Sequence, residues 1–206
     1  LNSGAAGGTI TFKDLLNGNQ TLGLTAGTGN IDFDGVVGGA AALGAVTVNS
    51  AGNVTADAAF SAASFRQVAG SGTTTFTGAL ATTAAAGVEV DGTNFDFNST
   101  VNLTLGSLDV DATGTVRFNG VVTTQAAAAG LVTITNGGVL TITAGGDMNL
   151  EGAFLQDGAG TISTAGDITT TNDAITFTDE VTLTGAVALN SGAAGGTITF
   201  KDLLNG

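Results

Sequence analysis

The chain has no proline, cysteine, histidine, tryptophan or tyrosine, and only four basic residues among its 206. Each absence excludes something. Without histidine or cysteine there is no Ser-His-Asp or Cys-His nucleophile, and zinc or haem would lack its usual ligands. Without cysteine no disulfide can staple the fold, so stability must come from packing and backbone pairing. Seventeen acidic residues against four basic ones leave a net charge of −13. That balance argues against nucleic acid, whose binding needs Lys and Arg to replace counterions, and equally against anionic lipid surfaces. Long apolar runs are missing as well: the most apolar stretch, Val36–Val48, is interrupted by Gly38, Gly39 and Gly44, well short of the ~18 residues of a membrane span.

What is present is a 43% apolar share, ample for a core, together with 34 glycines and many Thr, Ser, Asn and Asp. The order of these residues carries most of the information. Leu1–Gly18 reads LNSGAAGGTITFKDLLNG, and Leu189–Gly206 reads the same eighteen letters, 188 residues later. The sequence therefore describes one full tandem repeat, residues 1–188, followed by the start of the next, residues 189–206, in a single domain. A period so long points to shorter repeats inside it.

The inner repeat is an apolar-x-apolar phrase. It occurs as Ile10-Thr-Phe12, Ile31-Asp-Phe33, Val54-Thr-Ala56, Thr74-Thr-Phe76, Phe95-Asp-Phe97, Val116-Arg-Phe118, Leu140-Thr-Ile142, Ile162-Ser-Thr164, Ile175-Thr-Phe177 and Ile198-Thr-Phe200. Successive phrases lie 20–24 residues apart, except for a step of 13 between Ile162 and Ile175. Two weaker apolar pairs follow each phrase, such as Val101/Leu103 and Leu108/Val110, separated by Gly- and Asn-rich turns. Period-2 alternation of this kind marks half-buried strands, and three of them in about 21 residues leave no room for crossover helices. The short alanine runs Ala84–Ala86 and Ala126–Ala129, bounded by glycine, read as loops.

The pattern predicts an all-β fold: a right-handed parallel β-helix, or β-solenoid, with about three short strands per ~21-residue coil. Eight to nine coils fill the 188-residue period, rising roughly 38–43 Å at ~4.8 Å each. Phe12, Phe33, Phe76, Phe97, Phe118, Phe177 and Phe200 share the third position of the phrase, so they are expected in one buried ladder. The 13-residue step implies either a coil missing a side or an Ile162 belonging to another strand.

The cadence GTITF…LNGNQTLGLTAGTGNIDFDGVVGG…LGAVTVNSAGNVTA, with TFTDEVTLTGAVALNSGAAGG, resembles the long repeat regions of bacterial filamentous-haemagglutinin-like surface proteins. The resemblance covers the whole chain but rests on scaffold positions. It implies a large secreted or cell-surface adhesin or fibre, and it carries over no binding residue.

Carboxylates are the remaining source of chemistry. Asp109-x-Asp111 with Arg117 nearby, and Asp32-x-Asp34 after them, could each present two carboxylates on one strand face, as in β-helical polysaccharide-cleaving enzymes. The simpler reading is a solvated face, and a sugar cleft would want the aromatic platforms that Trp and Tyr supply. Asp34 and Asp57, equivalent positions of neighbouring coils, and Asp147 after Gly145-Gly146 are weak calcium candidates, because hard cations take carboxylate and carbonyl oxygen. The outward row Thr11, Asp32, Thr55, Thr75, Asp96, Arg117, Thr141, Ser163, Thr176, Thr199 places Asp96 beside Arg117 for an ion pair. Its charges also break the uniform Thr array that ice binding needs. Asn-x-Ser/Thr sequons at Asn19, Asn53, Asn98 and Asn102 follow from composition.

The expected function is structural and non-catalytic: a stacked repeat of an extracellular or cell-surface fibre or stalk, bacterial in the sense the resemblance implies, with adjacent copies as its head-to-tail partners and no required cofactor. An adhesin module for a cell-surface or glycan ligand is the second reading, and a polysaccharide-cleaving enzyme the third.

Overall fold

The computed structural model describes residues 1–4, 7–126 and 129–206, and among them every regular element is a β-strand. All strand pairings are parallel, each strand lying against the strand about one coil before and one coil after. The molecule is a β-solenoid of about nine coils with three faces. Backbone N–H and C=O groups point along the axis, so every interior strand is paired on both edges, and the two sheet edges are confined to the ends of the stack.

The first face is a ten-stranded sheet running from Ile10–Phe12 through Ile31–Phe33, Val54–Ala56, Thr73–Phe76, Asn94–Phe97, Val116–Phe118, Leu140–Ile142 and Ile162–Thr164 to Val181–Leu183 and Leu204–Asn205. The second carries Leu80–Thr82, Val101–Leu103, Val122–Thr124, Met148–Leu150, Ile168–Thr170 and Leu189–Asn190. Single bridges at Leu16, Val37 and Phe60 extend it towards the start of the chain. The third runs from Leu22–Thr25 and Leu43–Ser50 through Val88–Gly92, Leu108–Ala112, Val132–Asn136 and Phe154–Asp157 to Ile175–Phe177 and Ile198–Phe200. Phe60–Gln67 bends through the corner between the last two faces: its first half pairs with Leu80–Thr82 and its second with Val88–Gly92.

The alternation expected from the sequence is the packing rule of the fold. In most strands the first and third residues are buried and the middle one faces out. Interior rows are sealed: Ile31, Val116, Leu140 and Ile175 are fully buried. Ala84–Ala86 form a turn. Of the run Ala126–Ala129, Ala127 and Ala128 lie outside the described residues.

The single phenylalanine ladder divides in two. Phe12, Phe33, Phe76, Phe97 and Phe118 line the first face, with Phe12–Phe33 and Phe97–Phe118 stacked at 5.0 and 4.9 Å. Ala56 interrupts this line between Phe33 and Phe76. Phe177 and Phe200 belong to the third face, where they stack at 5.1 Å above Phe154. The same shift resolves the 13-residue step. Ile162 does sit above Leu140 on the first face, but Ile175 lies two strands later in the same coil, and Val181 takes the position expected of it. No side of the coil is missing.

Thr176 and Thr199 accordingly leave the outward row of the first face, which continues with Thr182 and Asn205. The physical reason is that all three faces use one inward-outward-inward triplet, so Ile-Thr-Phe specifies a strand but not its face.

Candidate functional surface

The outward positions of the third face carry the densest charge. Register aligns Glu89 with Asp109 and Asp91 with Asp111, making a block of four carboxylates on two adjacent coils. Arg66 lies one coil before Glu89 in the same row and pairs with it, Nε to Oε1 at 3.1 Å, both side chains about half exposed at 47% and 48%. Sequence reading missed this pair because Arg66 lies in a strand that crosses a corner. At such exposure it contributes little to stability.

Crowding shows in the acidities. The Asp109 carboxyl is pushed above its usual range by partial burial first, then by Glu89, Asp111 and Asp91. Asp91 is raised by partial burial and by Asp111 and Glu89, with Arg66 pulling the other way. An open groove beside the block runs along the corner, lined by Val68, Gly70, Asp91, Thr93, Asp111 and Thr113.

Arg117 does not join Asp109 and Asp111. It stands in the outward row of the first face, aligned with Asp96 and Thr141, whereas the two aspartates face out from the third. The expected Asp96–Arg117 ion pair does not form either, and Arg66–Glu89 is the ion pair found among the described residues. Arg117 Nε instead donates to Asn119 Oδ1 at 2.9 Å, and Asn119 Nδ2 donates to Asn98 Oδ1 at 2.6 Å. The guanidinium is thus held by a neutral amide of its own coil, two residues along the chain, instead of the carboxylate one rung away.

Asp32 and Asp34 stay together, the former facing out from the first face, and Asp57 follows the next coil's strand at the position equivalent to Asp34. Asp32 is raised by partial burial, then by Asp34 and Asp57. Asp147 lies elsewhere, at the entry to the second face, where its Oδ1 accepts the backbone N–H of Asp167 at 2.9 Å. Asp167 Oδ1 accepts from Ala188 N one coil later at 2.7 Å, so these aspartates act as rung-to-rung braces. Among the described residues no three metal-ligating side chains converge.

Asn53 has a comparable bracing role: its Nδ2 donates to Asn30 Oδ1 at 3.2 Å, and its Oδ1 accepts from Thr73 N at 2.8 Å.

A second feature is buried where the third face turns into the first. Gln67, Asn136 and Gln156 are fully buried there. Thr74 Oγ1 donates to Gln67 Oε1 at 2.7 Å. Gln156 Nε2 donates to Asn136 Oδ1 at 2.9 Å, Asn136 Nδ2 donates to Gly160 O at 2.9 Å, and Gln156 Oε1 accepts from Thr178 N at 3.1 Å. Such a network satisfies the corner backbone where no strand can. The signal was available, since Phe65-x-Gln67, Ile134-x-Asn136 and Phe154-x-Gln156 each place the amide on the inward parity of its strand.

No helix of the described residues is long and apolar enough to cross a membrane. No protein-family model matches the chain, and no curated protein or solved structure shows significant similarity to it.

Proposed function

We propose that the protein is a structural, non-catalytic segment of an extracellular or cell-surface fibre, in which copies of the 188-residue repeat follow one another along the axis. The observation that carries this reading is that the duplicated segment enters the solenoid as ordinary rungs. Leu189–Asn190 pairs with Ile168–Thr170, Ile198–Phe200 with Ile175–Phe177, and Leu204–Asn205 with Val181–Leu183. A chain that returns to its own starting letters while still in register can continue stacking without a change of fold. The last coil also has the chemistry of an interior one: Ile198 continues the inward row of Ile175, which is fully buried.

Head-to-tail stacking of this kind is a heterologous contact that propagates into filaments. An adhesive role is the second reading, favoured by the block of Glu89, Asp91, Asp109 and Asp111 beside an open groove. It makes this surface, rather than the ladders, the place where a cationic ligand would be held.

Immunogold labelling of intact source cells with antibody raised against this chain tests the fibre. The expected result is label along surface filaments before permeabilisation. Label confined to permeabilised cells overturns the reading.

A further inference from the structure

The repeat in the sequence and the coil in the structure do not have the same phase. Ile10–Phe12 lies on the first face and pairs with Ile31–Phe33. Ile198–Phe200, its letter-for-letter copy, lies on the third and pairs with Ile175–Phe177. The rest of the duplication shifts alike. Asn2 bridges to Thr25 on the third face, but its copy Asn190 pairs with Thr169 on the second. Leu16 bridges to Val37 on the second face, but its copy Leu204 pairs with Val181 on the first. Three separate strand positions agree on a displacement of one face, backwards in the order of winding. Counted along the chain, 26 strand positions separate Ile10 from Ile198, which is eight coils and two thirds.

On the reading of the chain as one repeat of a fibre, we infer that successive repeats are set a third of a turn out of phase, so that every surface feature returns to the same side of the fibre only three repeats further on.

The aromatic core shows how the junction keeps its packing. Phe118 closes the line on the first face, since Ile142 follows it there. A new line opens on the third face with Phe177 and Phe200, with Phe154 tilted against Phe177 from the coil before. Phe200 is the copy of Phe12, which carries Phe33 stacked upon it at 5.0 Å and 5°. The next repeat's Phe33 therefore falls on Phe200, and the line begun at Phe177 becomes the first-face line of the following repeat. The stack that ends one repeat thus continues into the next, although Ile142 and Thr164 separate it from the first-face line within the repeat.

The acidic block is carried round by the same step. Standing on the third face in one repeat, it stands on the second in the next and on the first in the one after. Three consecutive repeats, roughly 26 coils or about 125 Å at ~4.8 Å per coil, display it in all three directions. A partner that recognises this block meets it from any side, and two fibres lying side by side cannot align one continuous acidic stripe along their contact.

Disulfide trapping tests the phase, and the absence of native cysteine makes each engineered pair unambiguous. Ser163 and Thr182 are register partners on the first face, as are Thr141 and Ser163. If repeat and coil were in phase, Ser163 would face Thr176 instead. The variant Ser163→Cys/Thr182→Cys is expected to close as fast as the control Thr141→Cys/Ser163→Cys. Ser163→Cys/Thr176→Cys is expected to close at least about tenfold more slowly, because Cα atoms more than ~7 Å apart cannot be bridged without backbone movement. Rapid closure of the Ser163/Thr176 pair, or failure of the Ser163/Thr182 pair while the control closes, overturns the inference. Neither result depends on where the fibre resides, which the immunogold experiment reads separately.

Discussion

Phe60 meets Phe33 edge-on, ring centroids 5.3 Å apart and planes at 85°, although the two residues lie on different faces of the solenoid. The space between them exists because Ala56 stands over Phe33 where the coils on either side have phenylalanine. Phe65, five residues on from Phe60, fills the remainder, contacting Phe60 at 5.4 Å and Phe76 at 5.2 Å. One small residue is thus answered by two large ones from a single bent strand.

Replacing Phe60 by Ala should cost about 3–5 kcal/mol, and Phe97→Ala, within the unbroken stack, a similar amount. Ala56→Phe alone should destabilise by about 1–3 kcal/mol through overpacking. Combined with Phe60→Ala it should recover part of both losses, since the two sites share one cavity. Urea denaturation of the four chains reads the coupling, and strictly additive losses would show that the ring of Phe60 does not replace the missing one.

The buried amides make a second prediction. Gln156→Ala removes the acceptor of Thr178 N and the donor to Asn136 Oδ1, leaving a buried carbonyl and N–H without partners. Each such loss costs about 1–3 kcal/mol. Thr169→Ala, an outward residue of the second face, should by contrast change stability by less than about 0.5 kcal/mol. Equal thermal shifts for the two variants would count against the network.

Glycines divide by what their coil neighbours leave them. At Gly38, φ is +73° and an added Cβ would fall 2.1 Å from Ser61 O, so Gly38→Ala meets both strain and backbone. Gly23 lies in a strand with open space beside it, among outward threonines. Gly23→Thr should stabilise by up to about 1 kcal/mol through β-branching and reduced chain entropy. Opposite shifts in the melting temperature are expected for the two variants.

Acid should stabilise the fold. Asp32, Asp91 and Asp109 have folded-state values raised above 3.8 by partial burial and by neighbouring carboxylates. Protonating them relieves the folded chain more than the unfolded one. Their favourable contribution is complete below about pH 3.8 and is lost as pH rises through the raised values. Circular dichroism should record a higher melting temperature at pH 4 than at pH 7, and Asp109→Asn should narrow the gap. A lower melting temperature at pH 4 would reverse the sign of the argument.

Chelation should leave the protein unchanged. Asp147 already spends an oxygen on Asp167 N, and Asp34 and Asp57 lie several coils away along the axis, beside Asp32. A melting temperature that falls by many degrees in EGTA and returns with calcium would make these residues metal ligands.

Much of this fold was readable in Val116-Arg117-Phe118 and its relatives, because period-2 burial leaves its imprint on every strand. Coil spacing followed, and with it the parallel stacking. The face of each strand did not follow. Ile10-Thr-Phe12 and Ile198-Thr-Phe200 are one string on two faces, and only the number of strands between them distinguishes the two. That number is obscured where a rung is a single bridge, as at Leu16 and Val37, or where one strand serves two faces, as at Phe60–Gln67. The same ambiguity separated Arg117 from Asp109 and Asp111. Side-chain choices at similar range, such as Arg117 taking Asn119 over Asp96, depend on rotamer and reach rather than pattern.

Because the backbone bonds between coils run along the axis, a tensile load applied to the two chain ends acts on them one rung at a time. Each coil that peels away releases about 21 residues, roughly 70 Å of extended chain at ~3.3–3.4 Å per residue, in place of a ~4.8 Å rise. The material consequence is compliance without rupture: under pull the solenoid lengthens in equal steps at nearly constant force, and the remaining coils serve as the template on which the slack rewinds.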